Sequence, residues 1–229
     1  MKKLPKKKVL CYFDYACATG FGNVSHQFVE HFKSKMKGID FVILAINYYG
    51  EAYKDKNCYI VPCNASQVPD KKDFYGRNLI FKFLASGEFD LFFAMQDLQV
   101  MQPTYHLIDA FKKELAKKKR PFKAIHYFPV DSYLRKDWFK DIEAVDKLIT
   151  YTNYGVSEFA KFSNVKVDVL PHGIDLNIFK PVAADEKKEL RKKHFEGFED
   201  KKILISVNRN QGRKDIGATL IGFQKFLNE

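Results

Sequence analysis

Short apolar segments alternate with amphipathic segments along most of this 229-residue chain, and this alternation limits its possible folds more than any other feature. Between the first apolar segments, Val24, Phe28 and Phe32 recur at helical spacing. Strands that alternate with helices predict an α/β fold with a doubly wound, parallel, Rossmann-like sheet. We expect seven strands, at residues 9–13, 41–46, 58–61, 90–95, 123–128, 147–151 and 165–170.

Helices are expected between these strands and after the last of them. Pro103 should open the helix that ends near Lys118, because proline is favoured in the first turn of a helix. The other helices are expected at residues 21–36, 72–85, 136–144, 154–162, 184–194 and 215–227.

The chain changes character after Pro181. A charged helix, an apolar strand at residues 202–207 and an amphipathic helix follow. One strand and one helix cannot bury their own apolar faces. We therefore predict a complete Rossmann-like domain at residues 1–180, and at residues 181–229 a linker and the first strand–helix unit of an incomplete second Rossmann-like domain.

Composition narrows the classes of protein further. The net charge of +11 favours anionic partners such as phosphorylated substrates, acidic membrane surfaces or nucleic acid. No zinc-finger spacing or aromatic RNA-binding signature is present, so nucleic acid is not the partner we expect. The apolar runs fall short of the roughly 20 residues that span a membrane. The four cysteines lack the spacing of a typical zinc site, and without a secretory signal we expect reduced thiols in a cytoplasmic protein.

The segment LPHGIDLNIFKP follows the last predicted strand. Pro171 should end that strand, because proline has no N–H to donate to a sheet. His172 and Asp175 then lie on a loop at the carboxyl edge of the sheet, where ligands bind in open α/β folds. Taken alone, the pattern is also consistent with a simple exit from the domain, in which these two side chains cap a turn.

This segment resembles the interdomain signature of retaining GT-B glycosyltransferases of the family 4 type, which reads roughly P-[HN]-G-[VI]-D-x-x-x-F-x-P. The positions in register are Pro171, His172, Gly173, Ile174, Asp175, Phe179 and Pro181. The resemblance implies a cleft between two Rossmann-like domains, lined by His172, Gly173 and Asp175.

A second match lies at residues 208–215, which resemble the family pattern G-R-x-x-x-x-K-G. Arg209 and Lys214 keep the spacing, whereas Asn208 and Asp215 replace the two glycines. The resemblance implies that Arg209 and Lys214 bind the diphosphate of a nucleotide-sugar donor. Arginine offers phosphate a bidentate fork and lysine a point charge. Without the first match, an exposed basic loop would explain these residues equally well.

A glycine turn, Thr19 to Gly22, follows the first strand. Glycines at the start of a helix let backbone N–H groups approach an anion. A dinucleotide fingerprint would need a third glycine where Ser25 stands, so no dinucleotide cofactor is expected. The resemblance implies that Gly20 and Gly22 face the donor phosphates, although a tight turn without a ligand would need the same residues.

Two carboxylates are the predicted catalytic residues. Asp97 follows the fourth strand and Asp131 the fifth, so both should lie at the carboxyl edge, where either could orient or deprotonate an acceptor hydroxyl. Aspartates at these positions also commonly cap helices. His126 lies inside the fifth strand and is predicted to be a core residue. Family members have a histidine just after this strand, where this chain has Pro129.

The resemblance thus implies a retaining hexosyl-type glycosyltransferase that uses a nucleotide-diphosphate sugar and no other cofactor or metal. We expect a carbohydrate or lipid-linked acceptor and peripheral contact with an anionic membrane. Two alternatives stay open. One is a non-catalytic binding module or a subunit that another chain completes, and the other is a basic nucleic-acid-binding protein.

Overall fold

The structure, a computed structural model, describes residues 6–63, 73–208 and 210–228. The chain divides into two compact units, which meet in sequence at Gly173 and Ile174. The first unit contains the sheet and is described first.

Eight strands form one sheet in the first unit. They are β1 (Lys7–Asp14), β2 (Ile39–Ile46), β3 (Tyr53–Asp55), β4 (Cys58–Pro62), β5 (Leu91–Met95), β6 (Lys123–Phe128), β7 (Lys147–Thr150) and β8 (Val167–Val169). Four α-helices connect them: α1 (Gly20–Lys35), α2 (Arg77–Ala85), α3 (Leu98–Lys117) and α4 (Asn153–Ala160). Two 3₁₀ turns, Lys136–Phe139 and Ile142–Ala144, lie between β6 and β7.

The strand order is β3-β4-β2-β1-β5-β6-β7-β8, and every neighbouring pair is parallel except β3 with β4. The chain therefore builds one half of the sheet outward from β1 and the other half outward from β5. In such sheets the crevice beyond the carboxyl ends of the two central strands is the usual ligand site. The predicted α/β fold with a doubly wound, Rossmann-like sheet is confirmed.

Alternate residues of the strands face two separate cores. In β1, Leu10 and Tyr12 lie in the core covered by α2, α3 and α4, whereas Cys11 and Phe13 lie in the core covered by α1. All four are inaccessible to solvent. Because both faces of the sheet are buried, the strands show nearly continuous apolar runs instead of simple alternation.

Lysines at the amino ends of the strands are paired with carboxylates. Asp90, just before β5, accepts a hydrogen bond from the backbone N–H of Lys8 at 2.9 Å, and Asp146, just before β7, accepts one from Ala124 at 2.8 Å. The ion pairs along this edge include Lys7–Asp90, Lys8–Glu88, Lys123–Asp146 and Lys147–Asp168. Part of the chain's positive charge is therefore compensated at the edge opposite the carboxyl ends.

Three local predictions for the first unit were wrong. The sheet has an eighth strand, β3, because Tyr53–Asp55 folds back as a hairpin on β4. The segment 136–144 forms two 3₁₀ turns instead of one helix. Pro103 lies inside α3, which begins at Leu98. Pro103 removes one backbone hydrogen bond from the helix. Burial of the Leu98 and Met101 side chains in the first turns offsets this loss, because each buried side chain stabilises the fold by about 1.5–3 kcal/mol.

The second unit contains two helices among its described residues, α5 (Ala184–His194) and α6 (Ile216–Asn228), with a 3₁₀ turn at Gly212–Lys214 before α6. The strand predicted at residues 202–207 does not form. Leu204 and Ile205 are 73% and 69% exposed. A strand needs a partner for its ladder, and the described part of this unit offers none.

Among the described residues, no helix is both long enough and apolar enough to cross a membrane.

Candidate functional site at the carboxyl edge of the sheet

The turn between β1 and α1 is held by the side chain of Thr19. Thr19 is the N-cap of α1, and its Oγ1 accepts a hydrogen bond from the Gly22 N–H at 2.8 Å. The same hydroxyl donates to the Oδ2 of Asp14 at 2.6 Å. The amino terminus of α1 is thereby fixed against the end of β1, with the positive end of the helix dipole directed to the carboxyl edge.

The two glycines of this turn have different roles. A Cβ on Gly22 would lie 2.4 Å from the backbone oxygen of Cys17, so packing requires glycine there, and the Gly22 N–H is already used by Thr19. A Cβ on Gly20 would have no neighbour within 4 Å. Gly20 is exposed at the first position of the helix. Of the two predicted phosphate contacts, Gly20 is therefore the one beside open space.

Asp14 was not among the predicted site residues, although it belongs to this edge. Its side chain is buried at the end of β1 and accepts hydrogen bonds from Thr19 and, at 3.0 Å, from the Nδ2 of Asn47. Asn47 follows β2 with a left-handed backbone, φ 59°. One carboxylate therefore fixes the two loops that leave β1 and β2. A charged residue that directly ends an apolar strand was the sequence signal for it.

The two predicted catalytic carboxylates lie near one tyrosine. Asp97 occupies the N-cap position of α3, but its side chain makes no capping hydrogen bond, and Asp131 is exposed on the loop after β6. Burial raises the pKa of Tyr151, and the charges of Tyr127, Asp97 and Asp131 raise it further. The structure thus places both aspartates close enough to act electrostatically on the same hydroxyl group.

Tyr151, Tyr127 and His172 form an aromatic cluster beside these carboxylates. The His172 ring lies 4.0 Å from the ring centroid of Tyr151 and 5.8 Å from that of Tyr127. Tyr127 donates a hydrogen bond to the carbonyl of Leu170 at 2.6 Å, which holds the loop after β8 against β6. Partial burial lowers the pKa of His172, so its ring favours the neutral form. The Tyr151 hydroxyl is buried, with no hydrogen-bond partner among the described residues.

His126 is a core residue, as predicted. Its Nε2 donates to the carbonyl of Gln96 at 2.8 Å, which leaves Nδ1 to accept from the Tyr105 hydroxyl at 2.9 Å. Burial lowers the pKa of His126 to about 4. The ring is therefore neutral and fully hydrogen-bonded, and it takes no part in the open edge.

The remaining predicted residues end the first unit, belong to the second unit or lie outside the described residues. Asp175 begins a turn, in which its Oδ1 accepts from the Asn177 N–H at 2.8 Å and its carbonyl from the Phe179 N–H at 2.8 Å. Lys214 ends the 3₁₀ turn before α6. Arg209 is outside the described residues. His172 and Gly173 belong to the first unit.

Within the described part of the chain, no three His, Cys, Asp or Glu side chains are arranged to hold a metal ion. The site instead consists of the amino terminus of α1, the carboxylates of Asp97 and Asp131, the aromatic cluster around Tyr151, and the amide of Asn47. These groups can bind an anion at one point and hydroxyl groups at another. No protein-family model matches the chain, and no curated protein matches it either.

Proposed function

We propose that this chain is the acceptor-side domain of a retaining GT-B glycosyltransferase together with the beginning of its donor-binding domain. The reaction would transfer a sugar from a nucleotide-sugar donor to an acceptor hydroxyl with retention of the anomeric configuration. The observation that supports this proposal most is the position of His172. Its ring packs at a tilted angle against Tyr151, with 4.0 Å between the ring centroids, at the carboxyl edge of a Rossmann-like sheet. Asp97 and Asp131 act electrostatically on the same tyrosine, and His172 belongs to the segment that carries the family resemblance.

The proposed chemistry divides between the two halves of the edge. Near β6 and β7, Asp131 or Asp97 would accept the proton of the acceptor hydroxyl as it attacks the sugar. Near β1, the amino terminus of α1 at Gly20 would face the phosphates of the donor. Arg209 and Lys214 would neutralise the diphosphate as it leaves, which is where negative charge develops. This step would need no bound metal, because these cations and the helix dipole would stabilise the negative charge on the leaving diphosphate.

The isolated chain should bind donor more weakly than a complete enzyme and should hydrolyse little or none of it. No described residue of the second unit is buried, so the described part of this unit has no core around the predicted phosphate-binding loop. A loop without a packed support loses the preorganisation that makes charged contacts to phosphate strong. The same observation favours the alternative of a subunit that another chain completes. The acceptor would be a carbohydrate or lipid-linked molecule, and peripheral contact with an anionic membrane stays a prediction.

The proposal can be tested by phosphorus NMR with UDP, GDP, dTDP and ADP as probes. We expect at least one nucleoside diphosphate to bind, and Lys214→Ala to weaken its binding about tenfold or more, as expected for a charged hydrogen bond to phosphate. Lys225→Ala, in the last turn of α6, is the matched control and should leave binding unchanged. Failure of all four nucleotides to bind, or equal effects of the two substitutions, would refute the proposal.

The nucleic-acid alternative predicts a different response. A duplex-binding protein would lose affinity for a generic DNA duplex steeply with added salt, because phosphate contacts release counterions. We expect no such salt-dependent binding at low micromolar protein. A steep dependence would instead favour the basic nucleic-acid-binding class.

A further inference from the structure

The most exposed large hydrophobic side chains of the first unit all lie on connections at the carboxyl edge of the sheet. Among the described residues up to Gly173, four such side chains are more than half exposed: Tyr49, Phe74, Tyr133 and Tyr154, at 69%, 62%, 88% and 52%. All four are aromatic. They lie in the connections that leave the carboxyl ends of β2, β4, β6 and β7, or in the first helical turn after them. Exposed aromatics concentrated at one edge mark a binding surface.

The connections at this edge contain more carboxylates than cations. With the β5–α3 connection and the first turn after each strand included, their described residues contain five carboxylates, Glu51, Asp73, Asp97, Asp131 and Asp137, and three cations, Arg77, Arg135 and Lys136. Arg77 pairs with Asp73 at 4.0 Å. Arg135 pairs with Asp137, with 3.1 Å between its Nε and the carboxylate. Lys7 and Lys123, at the amino ends of β1 and β6, are instead paired at the opposite edge. An anionic membrane or a nucleic acid would require uncompensated cations beside the aromatics, so the charge distribution disfavours both.

Aromatic rings beside carboxylates and amides suit a neutral ligand with many hydroxyl groups. The apolar C–H face of a sugar ring packs on the face of an aromatic side chain, and carboxylate and amide oxygens accept hydrogen bonds from its hydroxyls. Asp97, Asp131 and Asn47 supply such oxygens between the exposed rings. The composition of this edge therefore matches a carbohydrate better than a lipid surface.

The spread of the rings sets the length of the ligand. Tyr133 and Tyr154 both lie on the β6 and β7 side, near Lys161. The pKa of Lys161 is raised chiefly by its hydrogen bond to Glu158, and the charges of both tyrosine hydroxyls raise it further. Tyr49 lies on the β2 side. Four strand spacings separate β2 from β7 in the sheet order, or ~19 Å at ~4.8 Å per strand. A ligand that reaches both sides must contain several sugar units.

We propose that the carboxyl edge binds a neutral oligosaccharide of several units, with sugar rings stacked on Tyr133 and Tyr154 at one end and on Tyr49 at the other. The inference deepens the proposed function, on which it rests for the role of this oligosaccharide as the acceptor. The chain would thus extend a glycan instead of modifying a single small molecule or a lipid headgroup.

Calorimetric titration with defined sugars tests the inference. The probes are maltohexaose, cellohexaose, mannohexaose and chitohexaose, each compared with its disaccharide. We expect at least one hexasaccharide to bind about tenfold or more tightly than its disaccharide, because only the longer ligand reaches both groups of aromatics. The double variant Tyr133→Ala/Tyr154→Ala should weaken hexasaccharide binding about tenfold or more, because the loss of each aromatic contact lowers the affinity a few-fold and the two effects multiply. Tyr59→Ala, on β4, removes an exposed tyrosine away from this edge and should have no effect.

Three results would overturn the inference: no binding of any hexasaccharide, equal affinity for hexasaccharide and disaccharide, or no effect of the double variant. Sedimentation with phosphatidylcholine and phosphatidylglycerol vesicles tests the membrane directly. Vesicle binding that the double variant abolishes would identify this edge as a membrane surface and would also overturn the inference. Oligosaccharide binding without nucleoside diphosphate binding would support the inference and refute the proposed sugar transfer. Nucleoside diphosphate binding without oligosaccharide binding would refute only the inference.

Discussion

Acidification should destabilise the first unit through His126. The ring is buried and neutral, with both nitrogens hydrogen-bonded, and burial lowers its pKa to about 4 in the folded protein. An unfolded chain exposes the histidine, whose pKa is then about 6.5. Between these values the unfolded state binds more protons than the folded state, so stability rises with pH and is lost as the pH falls.

The size of the effect follows from the two pKa values. At pH 7 the unfolded histidine is mostly neutral and the difference is small. At pH 5 the unfolded histidine is almost fully protonated and the folded one is not, so folding loses about 2 kcal/mol relative to pH 7. The full loss approaches about 3 kcal/mol below pH 4. This is a large fraction of the stability of a typical domain.

Urea unfolding of wild type, His126→Gln and His106→Gln at several pH values between 5 and 7 measures this effect. His106 lies exposed on α3 and serves as the matched control. Wild type and His106→Gln should each lose stability on acidification, whereas His126→Gln should lose about 2 kcal/mol less over the same range. The comparison concerns the slope with pH, so a lower stability of His126→Gln at pH 7 does not affect it. Identical slopes for all three proteins would refute a neutral, buried His126.

Two further predictions concern packing and hydrogen bonding. Gly22→Ala should destabilise the protein by about 1–3 kcal/mol, because its Cβ would meet the backbone oxygen of Cys17, whereas Gly20→Ala should cost nothing measurable by urea unfolding. Similar values for the two variants would contradict the different roles of these glycines. Thr104→Val should be neutral or stabilising by about 1 kcal/mol, because the buried Thr104 hydroxyl has no partner among the described residues. Thr150→Val, which removes a buried 3.0 Å hydrogen bond, should cost about 1 kcal/mol, and a larger loss at Thr104 would show that its hydroxyl is bonded.

Much of the fold could be read from the pattern of apolar residues. All seven expected strands occur in the first unit, and α5 has the predicted bounds, Ala184–His194. The burial of His126 followed from its position inside a strand of a sheet with two covered faces. These predictions succeeded because strand and helix periodicity is local information. Pro103 and β3 were mispredicted because burial of neighbouring side chains and pairing with β4 depend on contacts distant in sequence.

The candidate site was predicted only in outline. The positions of Gly20, Asp97 and Asp131 at the carboxyl edge followed from the end of each strand. The central role of Asp14 did not, since its partners come from separate loops. The gathering of Tyr49, Tyr133 and Tyr154 on one edge was likewise invisible in a sequence that contains 12 tyrosines, because exposure depends on what packs around each side chain.

By itself, the sequence determined which segments become strands and helices, and that a parallel sheet with two buried faces forms, because the spacing of apolar residues is set by local backbone geometry. The tertiary structure decided which loops meet at the crevice between β1 and β5. It also decided which carboxylates form hydrogen bonds that fix those loops, and which aromatic rings stay exposed. These outcomes depend on strand order and on contacts between distant segments, and the spacing of neighbouring residues predicts neither of them.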